Sequence, residues 1–346
     1  MPSSSDAPGA TYRSVVATRA GSPAVLQVVE QPLRPPAKGE ARIRVEAAAV
    51  SRPDITVRAG TALYSGTPLG KKMPFVPGYA VVGVVDALGP GAAGANVGDR
   101  VGVLTVTGGY TEVLYWRSDR LIPVPAGVDA GAAVTLILNY LVAYQTLHRA
   151  ARARRGETLL VIGASGGIGT ALLQLGRLIG LRMYGIASAA KHATVATLGA
   201  TPIDYRTQDF VAMLRQAEPE GIDVAIDGMM RLDYIEGSLS LLRHGGRLVS
   251  FGEPASLGAL ARILATAARV NLVPNGKSFK LYGTSTYFLF DRKPYEEDWA
   301  TLFTLLAGRE IAPVIAARFP IVEAARANAL LESGVVTGNV VLVADA

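Results

Sequence analysis

The sequence predicts an α/β protein of two modules, one a doubly wound parallel sheet and the other a partly open β-barrel. Three observations carry this. Residues 158–175 read TLLVIG, ASGGIG, TALLQL: a short aliphatic run, a glycine-rich turn and an amphipathic continuation. From residue 182 to residue 252, β-type segments alternate with helical ones, which implies right-handed crossovers and a parallel sheet covered on both faces. The first third instead breaks into glycine- and proline-bounded strands, and the period changes only near Asp129.

Taken in order, YRSVVAT, AVLQVVEQPL and ARIRVEAAAV fill residues 12–50. Pro32, Pro35 and Pro36 mark an edge or a linker there, because proline donates no ladder hydrogen bond. PGYAVVGVVDALGPG, GDRVGVLTV and TEVLYWRSDRLIPVP add strands, and GVDAGAAVTLILNYLVAYQTLHRAA opens a long helix. Thr158 to Ile162 then form a run without alternation, as a strand buried on both faces should. Gly163, Gly166 and Gly169 follow at the spacing G-x-x-G-x-x-G, and Ala171, Leu172, Leu175, Leu178 and Ile179 recur at helical intervals. Strand, glycine turn and helix make a phosphate-binding unit: glycines admit a pyrophosphate close to the backbone, and the helix start offers free N–H groups. The plain alternative is a tight strand-to-helix bend. Further strands are expected at 182–188, 201–205, 222–227 and 246–252, with helices at 190–198, 207–216 and 232–242 between them. An edge strand is expected over 278–286, and the chain closes as helix, helix, strand, the last returning to the first module.

Composition narrows the class. Half of the 346 residues are hydrophobic and 18% are charged, so a packed core is expected. There are no cysteines, which excludes disulfides and thiolate zinc sites and points to the cytoplasm. No uninterrupted apolar run reaches the ~18 residues of a membrane span. The net charge of +6 is scattered. Its one dense cluster, RAARARR at 149–155, reads as a solvated turn, so no nucleic-acid partner is expected.

PFVPGYAVVGVV, VGDRV, LVAYQTL, GETLLVIGASGGIGTALLQL, LGATPIDYRTQDF, GGRLVSFG and LLESGVVTGNVVL together resemble the medium-chain dehydrogenase/reductase superfamily. Within it they are similar to the zinc-free quinone oxidoreductase branch, and LILNYLVAYQTL, IASAAKH and PIDYRTQDF look closest to the vesicle amine transport protein homologues. The resemblance implies a Rossmann-type domain over 134–290 and a GroES-like catalytic domain over 12–133 and 291–346, after a flexible tail at 1–11, with the active site in a cleft. It further implies a homodimer through the edge strand near Phe279 to Thr286, and a small-molecule substrate. Zinc members place a Cys near Ser51 and a His-Glu pair at Tyr79-Ala80; neither is present, so no metal is expected.

The cofactor follows from the second strand. Dinucleotide folds that prefer NAD carry an acid about 20 residues beyond the glycines. Here Ser188 and Lys191 stand instead, and a hydroxyl with an ammonium suits a 2′-phosphate. The resemblance adds Tyr205, so NADPH is expected, its pyrophosphate on Gly163, Ala164, Ser165, Gly166, Gly167, Ile168 and Gly169. By the same resemblance Phe251 and Gly252 approach the nicotinamide riboside, Tyr282 to Ser285 the carboxamide, and Asn339 replaces a common Lys. Asp227 ends its strand near the cleft, in a place as often structural. Near the cleft that the resemblance implies, the catalytic candidates are Ser51, Asp54, Tyr64 and Asn139, with Ser51 where the branch commonly has Asn and Val142 where it commonly has Thr, so two polar groups of the family's usual pocket are absent. The activity implied is reduction of a quinone or an α,β-unsaturated carbonyl. A pathway-specific enoyl or ketone reductase, or a cofactor-binding protein with little turnover and a partner surface, are the alternatives.

Overall fold

The computed structural model describes residues 9–68, 70–284 and 291–345. The first eight residues of the expected tail, and Ser285 and Thr286 of the expected edge strand, fall outside them. Along the chain come β1 (Thr11–Ala17), β2 (Leu26–Pro32), β3 (Glu40–Val50), β4 (Ala80–Leu88), β5 (Arg100–Leu104), β6 (Val113–Arg117) and β7 (Ile122–Pro123). Next are β8 (Thr158–Ile162), β9 (Arg182–Ala187), β10 (Ala200–Asp204), β11 (Ile222–Asp227), β12 (Leu242–Phe251) and β13 (Ser278–Tyr282); β14 (Ile315–Pro320) and β15 (Asn339–Val343) close the chain. Two compact units share it. One holds the chain up to Leu138, Trp299–Arg309 and everything from Ile315; the other holds Asn139–Asp298 and Glu310–Val314.

In the first unit β3 is the central strand. It pairs antiparallel with β4, β6 and β15, and Val340 opposite Val50 marks the return of the last strand. The sheet order is β14-β15-β3-β4-β5-β7 with β6 also on β3, and β1-β2 form a separate ribbon. Ile43, Val45, Val81, Val103 and Leu342 bury themselves in its core, as alternating strands with one inward face should. One element was not expected. Arg52–Ala59 is a helix, because Ser51 and Asp54 form a capping box at its start, Pro53 fits the first turn, and Gly60 closes it at φ 73°.

The second unit is a six-stranded parallel sheet in the order β10-β9-β8-β11-β12-β13. All five residues of β8 and all six of β11 are buried, which explains the aliphatic run of β8; β11 buries Asp223 and Asp227 along with its aliphatic residues. The chain moves outward from β8 to β10, then crosses to β11 and moves outward the other way. Such a reversal leaves a crevice at the carboxyl ends of β8 and β11.

The long helix Ala130–Ala150 is long and apolar enough by composition to cross a membrane, although Asn139 interrupts it; 83% of the window is buried in protein, and core helices pass the same test. It carries two π-helical stretches, Leu136–Tyr140 and Gln145–Ala150, that its sequence period does not announce. Replacing Leu160 with Ala, at the fully buried middle of β8, should lower stability by about 2–5 kcal/mol in urea unfolding. A loss below about 1 kcal/mol would mean the sheet does not depend on this packing.

Candidate functional site

The glycine turn sits where β8 ends. Gly163 adopts φ +83°, a conformation that excludes most side chains. Gly166 caps the helix Gly167–Leu178 with no side chain, so that helix start keeps its N–H donors for an anion. The glycines differ in purpose. A Cβ on Gly169 would lie 2.2 Å from the Gly163 carbonyl oxygen and 2.6 Å from the Ala164 carbonyl carbon, so this residue is needed for helix and strand to touch. A Cβ on Gly166 would meet nothing nearer than 3.6 Å; the protein itself leaves that space open, and Gly166 is exposed. Ala164 and Ser165 are buried behind it, whereas Gly167 and Ile168 are half-buried. An open cradle above a bare helix start fits a pyrophosphate.

Two further strand ends converge there. The Gly228 amide donates to the Ile162 carbonyl at 3.3 Å, and the Phe251 ring lies 2.8 Å from where a Gly228 Cβ would stand. Gly252 turns at φ +110°, close to the Gly228 carbonyl. Asp227 is fully buried and accepts the amides of Met229 at 2.8 Å and Met230 at 3.2 Å. Burial pushes its carboxyl up to about 6 although those amides pull the other way. The turn holds Met230 at φ +52°, unusual for a side chain of its size, and sets Met229 beside Gly163 with its sulfur 3.8 Å from a Cβ placed there. No motif in the sequence marks Met229; its position comes from the turn alone.

At the ends of β9 and β10 lies a basic group. Ser188 leads into a short 3-10 turn ending at Lys191, its hydroxyl making no cap bond. Burial lowers the Lys191 ammonium below its ordinary value, Tyr205 opposes this and the Arg206 charge adds to it. Tyr205 is about half exposed, with the Arg206 guanidinium 5.6 Å from its ring centroid. The nearby acid, Asp204, is turned inward: it accepts the Arg206 amide at 3.1 Å and the Thr207 hydroxyl at 3.1 Å. Arg206 was missed by sequence reasoning, though its place next to Tyr205 was the available signal.

The catalytic candidates are arranged differently. Asp54, buried, accepts the Ser51 amide at 2.8 Å, the Ser51 hydroxyl at 2.5 Å and the Gly78 amide at 2.9 Å. The Tyr110 hydroxyl hydrogen-bonds it too, and Asn328 donates to that hydroxyl at 3.3 Å. Burial nevertheless raises the carboxyl to about 6. Ser51 and Asp54 thus cap a helix within a buried polar chain. Tyr64 is exposed in a turn, Asn139 is half-buried in the first π-helical stretch, and Val142 is buried. Asn339 is buried at the start of β15. The Tyr282 hydroxyl donates to Gln145, whose amide donates to Asp298 at 2.8 Å. Among the described residues no three His, Asp or Glu side chains gather as a metal site.

Known proteins share this architecture. Residues 37–126 match the alcohol dehydrogenase GroES-like domain, and residues 198–342 a family described as zinc-binding dehydrogenase. Quinone oxidoreductase of Homo sapiens is 30% identical over 339 residues, 95% of this chain and 97% of that protein. The chain belongs to the medium-chain dehydrogenase/reductase superfamily. A synaptic vesicle membrane protein VAT-1 homolog of Rattus norvegicus is 34% identical over 74% of this chain and 63% of its own length. The chain spans 53–65% of the length of the vesicle relatives from four vertebrates that it matches. A mycobacterial structure described as complexed with NADPH is 28% identical, with a TM-score of 0.81 over 96% of this chain and 99% of that one. The superfamily supplies a Rossmann-like sheet and a GroES-like unit, as the strand orders show.

Two outcomes follow. Gly169→Ala should lower the melting temperature by several degrees, since the added methyl overlaps backbone and overpacking costs about 1–3 kcal/mol; an unchanged melting temperature would contradict the close contact. Asp54 is raised in the folded state, so from about pH 7 to about pH 5 the native protein takes up a proton that the unfolded chain does not, and acidification stabilises it. The stability of the wild type relative to Asp54→Asn should therefore rise over that interval, read from unfolding midpoints. A constant gap would show that this carboxyl does not titrate there.

Proposed function

We propose that the chain is an NADPH-dependent reductase that works without zinc on a quinone or an α,β-unsaturated carbonyl. The single observation that carries this is the basic group of Lys191, Tyr205 and Arg206 with its acid turned inward, where a carboxylate would hold the ribose of NAD. The name of the human relative and the NADPH bound by the mycobacterial one support it. In this assignment Gly163–Gly169 hold the pyrophosphate, Ser188, Lys191 and Tyr205 the 2′-phosphate, and Phe251 and Gly252 the nicotinamide riboside. NADPH when bound supplies the hydride; the chain's residues orient it and exclude water. Tyr64, exposed, is the candidate proton donor, whereas Asp54 and Ser51 act through the helix they cap.

The commitment of Asp54 to four donors also favours a second reading, an NADPH-binding protein with little turnover. A panel of quinones, enals and enones, with NADPH loss followed by absorbance, separates the two. Reduction of at least one acceptor supports the reductase; tight NADPH binding with none reduced supports the other.

Cofactor choice is tested by Michaelis constants. Lys191→Ala should raise the NADPH constant about tenfold or more and leave the NADH constant nearly unchanged, as loss of one charge-assisted contact predicts. Equal constants for both cofactors in wild type and variant would sink the assignment. β13 is the outermost strand of its sheet, and an open edge invites pairing with a second copy. Light scattering should give a dimer; a monomer would refute this.

A further inference from the structure

Six methionines are the only sulfur in this chain, which has no cysteine. Of the five that are described, Met183 and Met230 are buried, and Met73 and Met213 are partly buried against the two hydrophobic cores. Met229 alone among them is exposed, at 47%. Its thioether lies beside Gly163 at the mouth of the glycine cradle, and its backbone is fixed by the Asp227 carboxylate and by the turn at Met230. Susceptibility of a thioether to oxidants follows its exposure. The most exposed thioether among the described residues therefore stands where a change of polarity reaches the cradle directly.

We propose that Met229 is an oxidation switch for cofactor binding, converted by hydrogen peroxide to its sulfoxide, which weakens the hold of the glycine loop on NADPH. The inference rests on the cofactor assignment made above. In the step, a sulfur lone pair attacks one peroxide oxygen and forms the S–O bond as the O–O bond breaks. The sulfur loses two electrons, the departing oxygen gains them, and with the transferred proton it leaves as water. A soft apolar group becomes a polar one bearing an acceptor oxygen. Placed next to Gly163, that oxygen competes with phosphate oxygens for the loop's N–H donors and repels them. Bound NADPH in turn covers the thioether. The modification and the cofactor thus oppose each other, and the lesion is reversible by a methionine sulfoxide reductase.

The test uses the full chain. NADPH dissociation constants are measured by fluorescence titration before and after mild hydrogen peroxide treatment, and oxidised methionines are located by peptide mass. Expected results are that Met229 oxidises ahead of Met73 and Met213, that NADPH present during treatment protects it, and that its oxidation raises the dissociation constant about tenfold, the effect of one lost polar contact. Met229→Leu, which cannot be oxidised, should show the same constant before and after peroxide, and Met229→Gln should mimic the oxidised protein without peroxide. Oxidation of Met229 with an unchanged constant, or an equal peroxide response in Met229→Leu, overturns the switch alone. Failure of the untreated protein to bind NADPH overturns the switch and the cofactor assignment together.

Discussion

The contact on which the second unit depends is the approach of Gly169 to the backbone of Gly163 and Ala164. A helix laid that close to the end of β8 has no room for a methyl group at the crossing. Once the contact is made, the helix axis points its first turn over the end of the sheet, and Gly166 leaves that turn without a side chain. The open cradle is a consequence of packing. The ends of β11 and β12 are then drawn to the same place by the reversal of strand order, and Gly228 and Gly252 let them close without filling it.

Selection of the cofactor is a separate, electrostatic matter. Lys191 and Arg206 come near enough for the charge of one to depress the other, a cost that a 2′-phosphate would offset. Asp204 would cancel that field if it faced outward, but two hydrogen bonds within its own turn hold it in. The same device recurs at Asp227 and Asp54. Each is a buried acid spent on nearby amides, and each keeps a short turn or a helix start in one shape.

How far the sequence revealed this depends on where the signal is local. The aliphatic run of β8, the helical spacing after Gly169 and the alternation of strands with helices beyond it announced the parallel sheet, because burial of β8 on both faces leaves no alternation there. Ser188 and Lys191 stand out in the sequence by the absence of an acid beside them, whereas Tyr205 is singled out only by the family resemblance. The helix Arg52–Ala59 is hidden in the sequence even though Ser51, Pro53 and Asp54 spell its start, because a buried serine and aspartate three residues apart look alike whether they cap a helix or serve a reaction. Met229 was not legible at all. Its approach to Gly163 depends on a positive φ at Met230 and on a carboxylate fixed in the neighbouring strand, and neither has a sequence period.

The central claim is that the basic group at the ends of β9 and β10 recognises a phosphate on the ribose 2′ oxygen. Calorimetric titration with adenosine 2′,5′-bisphosphate and with AMP isolates that contact from the rest of the cofactor. The bisphosphate should bind about tenfold tighter or more at low salt, with the difference shrinking as ionic strength rises. Equal affinity for the two nucleotides at low salt would contradict the account.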